Sequence, residues 1–392
     1  VPLIRFLPTG RRLALVATLA AALIAPVAAS AGPYLVFDAR TGEVLAENRS
    51  FDPWYPASLT KLMTIYVTLR ALSAGEVTLE TPVVMTAHAA KEPPSKMGFK
   101  PGAAVSVDTA LKILVVKSAN DVAMALGETV GGGEAGFVAR MNAEAARLGM
   151  VGTRFANPNG LPDPAQFTTA RDYALLARAL IRDYPGTYDL FRITGLSLGG
   201  KVIKTHNNLL ERYPGADGMK TGFICSSGFN VVASASRGGR RLVAVVLGER
   251  TAKEREEHTA ELLETAFSAG SGLFGGATLD RLRPTVTPPV LPADLKPQVC
   301  GRRDVGETAD GAGPTAAAEL PARSYLVPRF KVMDPVPIAM LAPAGGVPLA
   351  AAGAVPDALP PLPKARPRVA GAGESVDPAG AAVPLAPGGS KG

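Results

Sequence analysis

In the stretch YPASLTKLMT, a serine and a lysine stand three residues apart, at Ser58 and Lys61. At helical spacing the two side chains share a face, so the Lys61 amine can lie beside the Ser58 hydroxyl. A serine hydroxyl is a weak nucleophile, and a neutral amine within hydrogen-bond reach would activate it for acyl transfer. The same pair also suits an ordinary helix start, because Ser is favoured at helix N-termini and Lys is common on helices. The stretch alone leaves both readings open. Other chemistry is poorly supplied: His88, His206 and His258 are scattered, and with two cysteines they form no ligand spacing, so neither a metal nor another cofactor is expected. The triple glycine at 131–133 lacks the Gly-Lys-Ser/Thr ending of a phosphate cradle and reads as a join.

The elements that must position Ser58 follow from periodicity. YLVFD (34–38) and EVLAEN (43–48) flank a turn and predict a hairpin. Leu59, Leu62, Met63, Tyr66 and Leu69 recur at helical spacing and predict a helix over 58–72. Residues 82–107 are loop-rich, and helical patterns then occupy 107–118, 120–130, 134–150 and 169–183, the last with Thr169 as its cap. DGMKTGF, GFNVVASASR and RLVAVVLGE predict three strands over 217–249, followed by a helix over 251–267. Strands thus open and close a unit with helices in its middle. The expected fold is α/β: an antiparallel sheet flanked by helices, with an all-helical subdomain inserted.

Residues 1–31 carry Arg5, Arg11 and Arg12, an apolar run, and small residues at Ala29 and Ala31, which together predict a secretory signal peptide. Removing those three arginines lowers 41 basic residues to 38 against 34 acidic, so +7 becomes +4. So mild a charge, with no basic run interleaved with aromatics, excludes a nucleic-acid partner. No second apolar run approaches a bilayer span, so no transmembrane segment is expected in the mature protein, and the location is the periplasm or cell-wall space. Behind an export signal, Cys225 and Cys300 are either a disulfide or two free thiols. A catalytic domain is expected over 32–268, a linker packed on or near it over 269–300, and a Pro/Ala/Gly-rich, mostly disordered tail over 301–392. One ordered piece, SYLVPRFKVM, is expected within that tail.

Ser58-x-x-Lys61 is followed by Ser118-Ala119-Asn120 at a junction of two helices and by Lys220-Thr221-Gly222 on a strand. Each triplet alone is weak. In that order, on those elements, they resemble the signature of the penicillin-recognising serine enzymes. Residues 33–268 are similar more broadly to the D-alanyl-D-alanine carboxypeptidases, the low-molecular-mass penicillin-binding proteins. The likeness is carried by PASLTKLMT, FKPGAAVSV, KSANDVAMAL, FANPNGLPDPAQFTTARDYALLARAL, PGADGMKTGF and GFNVVASASRGGRRLVAVVLG.

The resemblance implies a carboxypeptidase that removes the last D-alanine of peptidoglycan stem peptides and is acylated by β-lactams at Ser58. It implies Lys61 as base, its pKa depressed by the helix dipole and the nearby Lys220 cation. Ser118 would relay a proton to the leaving amine, and Asn120 would hold the substrate carbonyl or orient Lys61. Lys220, Thr221 and Arg255 would bind the terminal carboxylate, and Gly222 would leave the strand edge bare for the substrate. The oxyanion would sit between the backbone N–H groups of Ser58 and Phe223. Rival readings are a DD-endopeptidase on the same site, a class A β-lactamase, and a non-catalytic wall-binding protein. FANPNGLPD has no Glu to activate a deacylating water, which argues against the lactamase. Many relatives add a β-rich C-terminal domain and a membrane-docking helix, and the tail ending APGGSKG matches neither.

Overall fold

The structure, a computed structural model, describes residues 32–269, 277–284, 287, 290–301 and 324–342. The expected signal peptide and most of the expected tail lie outside these residues. Strands β1 (Tyr34–Asp38) and β2 (Val44–Asn48) form the N-terminal hairpin. Helix α1 (Thr60–Ala74) follows, and an insertion separates it from α5 (Ala170–Asp183). The insertion holds β3 (Pro82–Val84), β4 (Ala104–Ser106), α2 (Val107–Val116), α3 (Asn120–Gly131) and α4 (Glu134–Arg147). After α5 come α6 (Tyr188–Phe191), a hairpin of β5 (Gly195–Leu198) and β6 (Lys201–Lys204), and α7 (Leu209–Arg212). Strands β7 (Ala216–Ile224), β8 (Gly228–Arg237) and β9 (Arg240–Glu249) lead into α8 (Ala252–Ala269). Short α9 (Lys296–Val299) and β10 (Val336–Pro337) complete the described elements.

The main sheet is antiparallel throughout, in the order β2-β1-β9-β8-β7, so β7 is an edge. Both faces are covered, with α5 on one and α8 on the other. That is why β9 reads as a continuous apolar run: alternate residues serve two cores. Val243, Val245 and Leu247 join Leu35, Phe37 and the helical insertion. Leu242, Ala244 and Val246 join Val36, Leu263 and Ala266 of α8. Helix caps are local and legible: the Ser106 and Thr169 side chains accept from the backbone N–H groups of Thr109 and Asp172. Among the described residues no helix is long and apolar enough to cross a membrane.

The structure departs from expectation at three places. The 82–107 passage is not all loop, because β3 and β4 pair at its two ends. The β5–β6 hairpin was not anticipated, although Gly199-Gly200 between two short runs is a hairpin signal. The helix expected at residue 58 begins instead with a 3₁₀ turn over Ala57–Leu59. SYLVPRFKVM lies within a strap, residues 324–342, that packs on the domain. Tyr325 and Leu326 rest on the α8-side core, and Met333, Val336 and Ile338 on the insertion-side core. Along the way Val327 N–H donates to the Arg212 carbonyl, β10 pairs in parallel with β5, and Leu341 N–H donates to the Ala104 carbonyl.

Candidate active site

Ser58 lies in the 3₁₀ turn, where residues three apart eclipse one another, and Lys61 lies in the first turn of α1 that follows. Neither the turn nor α1 has a side-chain N-cap bond, so Ser58 is not serving as a helix cap. Its hydroxyl instead accepts a 3.1 Å hydrogen bond from Lys61 Nζ. Lys61 is fully buried (0% exposed) and also donates to Asn120 Oδ1 at 2.7 Å and to the Asn159 carbonyl. These three acceptors are all neutral oxygens, and burial of an amine works against its charged form.

The turn is clamped by its neighbours. Gly222 of β7 lies so close that a Cβ there would be 3.0 Å from Ser58 N and 3.1 Å from the Pro56 carbonyl oxygen. At Gly160, φ is +89° and a Cβ would meet the Ala57 carbonyl oxygen at 2.0 Å. Asn230 Nδ2 donates to the Tyr55 carbonyl at 3.1 Å, and Trp54 Nε1 donates to the Ser227 carbonyl at 3.0 Å. Ala57 itself sits at φ 48°, a left-handed conformation that costs free energy for a residue with a Cβ and is held by this surround.

Ser118 occupies the α2–α3 junction, also left-handed at φ 59°. It is 1% exposed, and its hydroxyl has no protein partner among the described residues. Asn120, at the head of α3, accepts from Lys61 Nζ through its Oδ1 and donates from Nδ2 to the Pro93 carbonyl, so it links the amine to the β3–β4 passage. Lys220 and Thr221 are buried on edge strand β7, and Lys220 Nζ donates to the Thr221 carbonyl at 2.7 Å. Phe223 follows Gly222, which brings the Ser58 and Phe223 segments side by side. Arg255 is not on the helix surface: it is 3% exposed, with its guanidinium 5.8 Å from the centre of the Phe229 ring. That ring stacks on Phe223 at 4.2 Å, which places Arg255 behind the end of β7. Cys225 and Cys300 form a disulfide at that same end.

Sequence reasoning passed over Asn159, Gly160, Asn230 and Glu92. Asn159 Nδ2 donates to Glu92 Oε2 at 2.8 Å, so a carboxylate does reach the 155–163 loop, from residue 92. Burial raises the Glu92 pKa from its ordinary value. The signal for the loop was PNG, a turn signature, but a turn motif does not say what its carbonyl will hold.

A two-sided sheet with a helical insertion, carrying a serine–lysine pair between a Ser-x-Asn and a Lys-Thr-Gly edge strand, defines the class: a penicillin-recognising serine acyl-transfer enzyme. The chain belongs to the D-alanyl-D-alanine carboxypeptidase family of serine peptidases, peptidase family S11, whose model matches residues 20–251. It is similar to the D-alanyl-D-alanine carboxypeptidase DacC of Escherichia coli K12, at 36% identity over 295 residues, covering 74% of this chain and 70% of DacC. Across DacC and two further curated carboxypeptidases the chain spans 70%, 63% and 60% of the relative's length. In structure it resembles the carboxypeptidase DacD of Francisella tularensis, with a TM-score of 0.59 and 32% identity over 61% of this chain and 70% of that one. It also resembles penicillin-binding protein D2 of Listeria monocytogenes in its cefotaxime-bound form, with a TM-score of 0.56 and 30% identity over 60% of this chain and 97% of that one.

Proposed function

We propose that this chain is an exported carboxypeptidase that releases the terminal D-alanine from peptidoglycan stem peptides through an ester on Ser58. The observation that carries the reading is the Lys61 amine, buried and held between Ser58 Oγ and Asn120 Oδ1. Lys61 takes the Ser58 proton as Oγ attacks the carbonyl of the penultimate D-alanine. The oxyanion rests on the backbone N–H groups of Ser58 and Phe223, one such donor being worth about 3 kcal/mol. The tetrahedral intermediate collapses, the C–N bond breaks, and Ser118 passes a proton to the departing amine of D-alanine. Water then enters the vacated space, Lys61 accepts its proton, and the ester hydrolyses to the shortened peptide and free Ser58. Lys220, Thr221 and Arg255 serve the substrate's terminal carboxylate, while the peptide lies along the bare β7 edge at Gly222.

The cefotaxime-bound Listeria relative supports acylation of Ser58 by β-lactams as well. With a penicillin the leaving nitrogen stays tethered and blocks the path of water, so the penicilloyl ester should be long-lived while the peptide turns over repeatedly. The signal-like residues 1–31 and the disulfide support an oxidising, extracytoplasmic location.

The mature protein is incubated with a fluorescent penicillin and, separately, with a pentapeptide ending in D-Ala-D-Ala. The wild type should label and release D-alanine, and Ser58→Ala should do neither while keeping its circular dichroism spectrum. Labelling that survives in Ser58→Ala would identify another nucleophile. Penicillin turnover as fast as peptide turnover would return the chain to the lactamase reading.

A further inference from the structure

The general base is held by a loop, and a loop carbonyl has no regular hydrogen-bond ladder to fix it. Asn159 supplies that carbonyl to Lys61 Nζ and is itself fully buried. Two side-chain bonds pin it: Oδ1 accepts from Leu161 N–H at 3.1 Å, and Nδ2 donates to Glu92 Oε2 at 2.8 Å. Glu92 arrives from the passage between β3 and β4, whose neighbour Pro93 also takes the Asn120 amide at 3.0 Å. Glu92 therefore stands behind one acceptor of Lys61, and the next residue stands behind another.

We propose that Glu92 is a positioning residue for the acylation step: its carboxylate fixes Asn159, and the Asn159 carbonyl fixes the Lys61 amine against Ser58. The inference rests on Lys61 serving as the base for Ser58. Glu92 also acts through its charge. An anion near Lys61 favours the ammonium form and so opposes activation at lower pH. The charged groups facing Glu92 are Lys61, His88 and Glu134, and burial raises its own pKa. The charge is thus a cost to base strength that accompanies the geometric benefit, and the two can be separated by substitution.

Glu92→Gln keeps an oxygen for the Asn159 amide and removes the charge, whereas Glu92→Ala removes both. Circular dichroism and thermal unfolding establish that each variant is folded. Glu92→Ala should lower the penicillin acylation constant, and kcat for the peptide, about tenfold with KM little changed, the expected loss for one charge-assisted hydrogen bond. Glu92→Gln should recover most of that rate on the pH plateau. It should also carry the acidic limb of the acylation pH profile to lower pH, because Lys61 then loses its proton more readily. Wild-type rates and profiles in both variants would overturn the proposal. So would normal acylation with slowed release of the penicilloyl group, which would make Glu92 a base toward water instead. Either result would leave the Ser58 reading standing, because that reading fails only if the wild type itself is not acylated or Ser58→Ala still labels.

Discussion

Gly160 and Gly222 both press on the turn that carries the nucleophile, yet for different reasons. At Gly222 the backbone is extended and the space is tight by a few tenths of an ångström. At Gly160 a Cβ would collide outright with a carbonyl, on a backbone at φ +89°. Gly160→Ala should therefore lower stability by roughly 3 kcal/mol, from overpacking plus left-handed strain, and should also slow acylation by shifting Ser58. Urea unfolding and penicillin labelling together would check this, and an unchanged midpoint would show that the loop simply moves aside. At this scale legibility depended on whether a residue acts through its side chain. Ser58, Lys61, Ser118, Asn120 and Lys220, the residues proposed to act through their functional groups, could be read from type and spacing. Asn159 acts on Lys61 through a backbone carbonyl, which any residue possesses, and Glu92 acts through Asn159. Neither contribution leaves a mark in residue type alone.

Elements were legible where their signals are local. Thr169 caps α5, and β7, β8 and β9 follow their apolar runs. The β5–β6 hairpin carried a Gly-Gly turn and was passed over. The pairing of Cys225 with Cys300 was open, because export makes pairing permissible without bringing two ends together. The bridge closes a separation of 75 residues and sits on Phe223 and Phe229. Cys300→Ser should cost up to roughly 4 kcal/mol by the loop-entropy estimate, and less to the extent that the Leu295 N–H bond to the Ser226 carbonyl already orders the segment. Two alkylatable thiols in protein from its native compartment would remove the basis for that expectation. A second element-level link joins the β3–β4 passage to α3, where His88 Nδ1 meets Glu128 Oε1 at 2.8 Å. The bond to Glu128 raises the His88 pKa above 6.5. Its stabilisation is fully present below about pH 6.5 and fades as pH rises through the raised folded value. The Tm difference between wild type and His88→Gln should accordingly shrink from pH 5.5 to pH 8, and a constant difference would mean that the pair contributes no charge-dependent stability. The imidazole is more than half exposed, so the effect is small.

On the scale of the whole molecule, the strap runs across α8, α7, the β5–β6 hairpin and the start of the helical insertion. It begins where Ser324 Oγ donates to Glu257 of α8, passes Glu211 and Arg212 of α7, and ends on Ser197 and Ala104 beside the helical insertion. Its apolar side chains are only partly buried, and ordering some 19 residues (324–342) offsets most of what they contribute. A net stabilisation on the order of 2 kcal/mol corresponds to about 4–8 °C in Tm for a domain of this size. A chain ending after Gly301 keeps the disulfide and every motif. It should melt lower by that amount and still be labelled by penicillin at 25 °C, whereas loss of labelling at that temperature would tie the strap to the site itself. The genetic corollary concerns nonsense alleles. A stop codon before residue 58 removes the chemistry, but one between residues 302 and 323 keeps every motif and removes the brace together with the residues after it. The first kind should be null at every growth temperature. The second should complement at low temperature and fail on warming, so a conditional phenotype would map to the end of the gene farthest from the nucleophile.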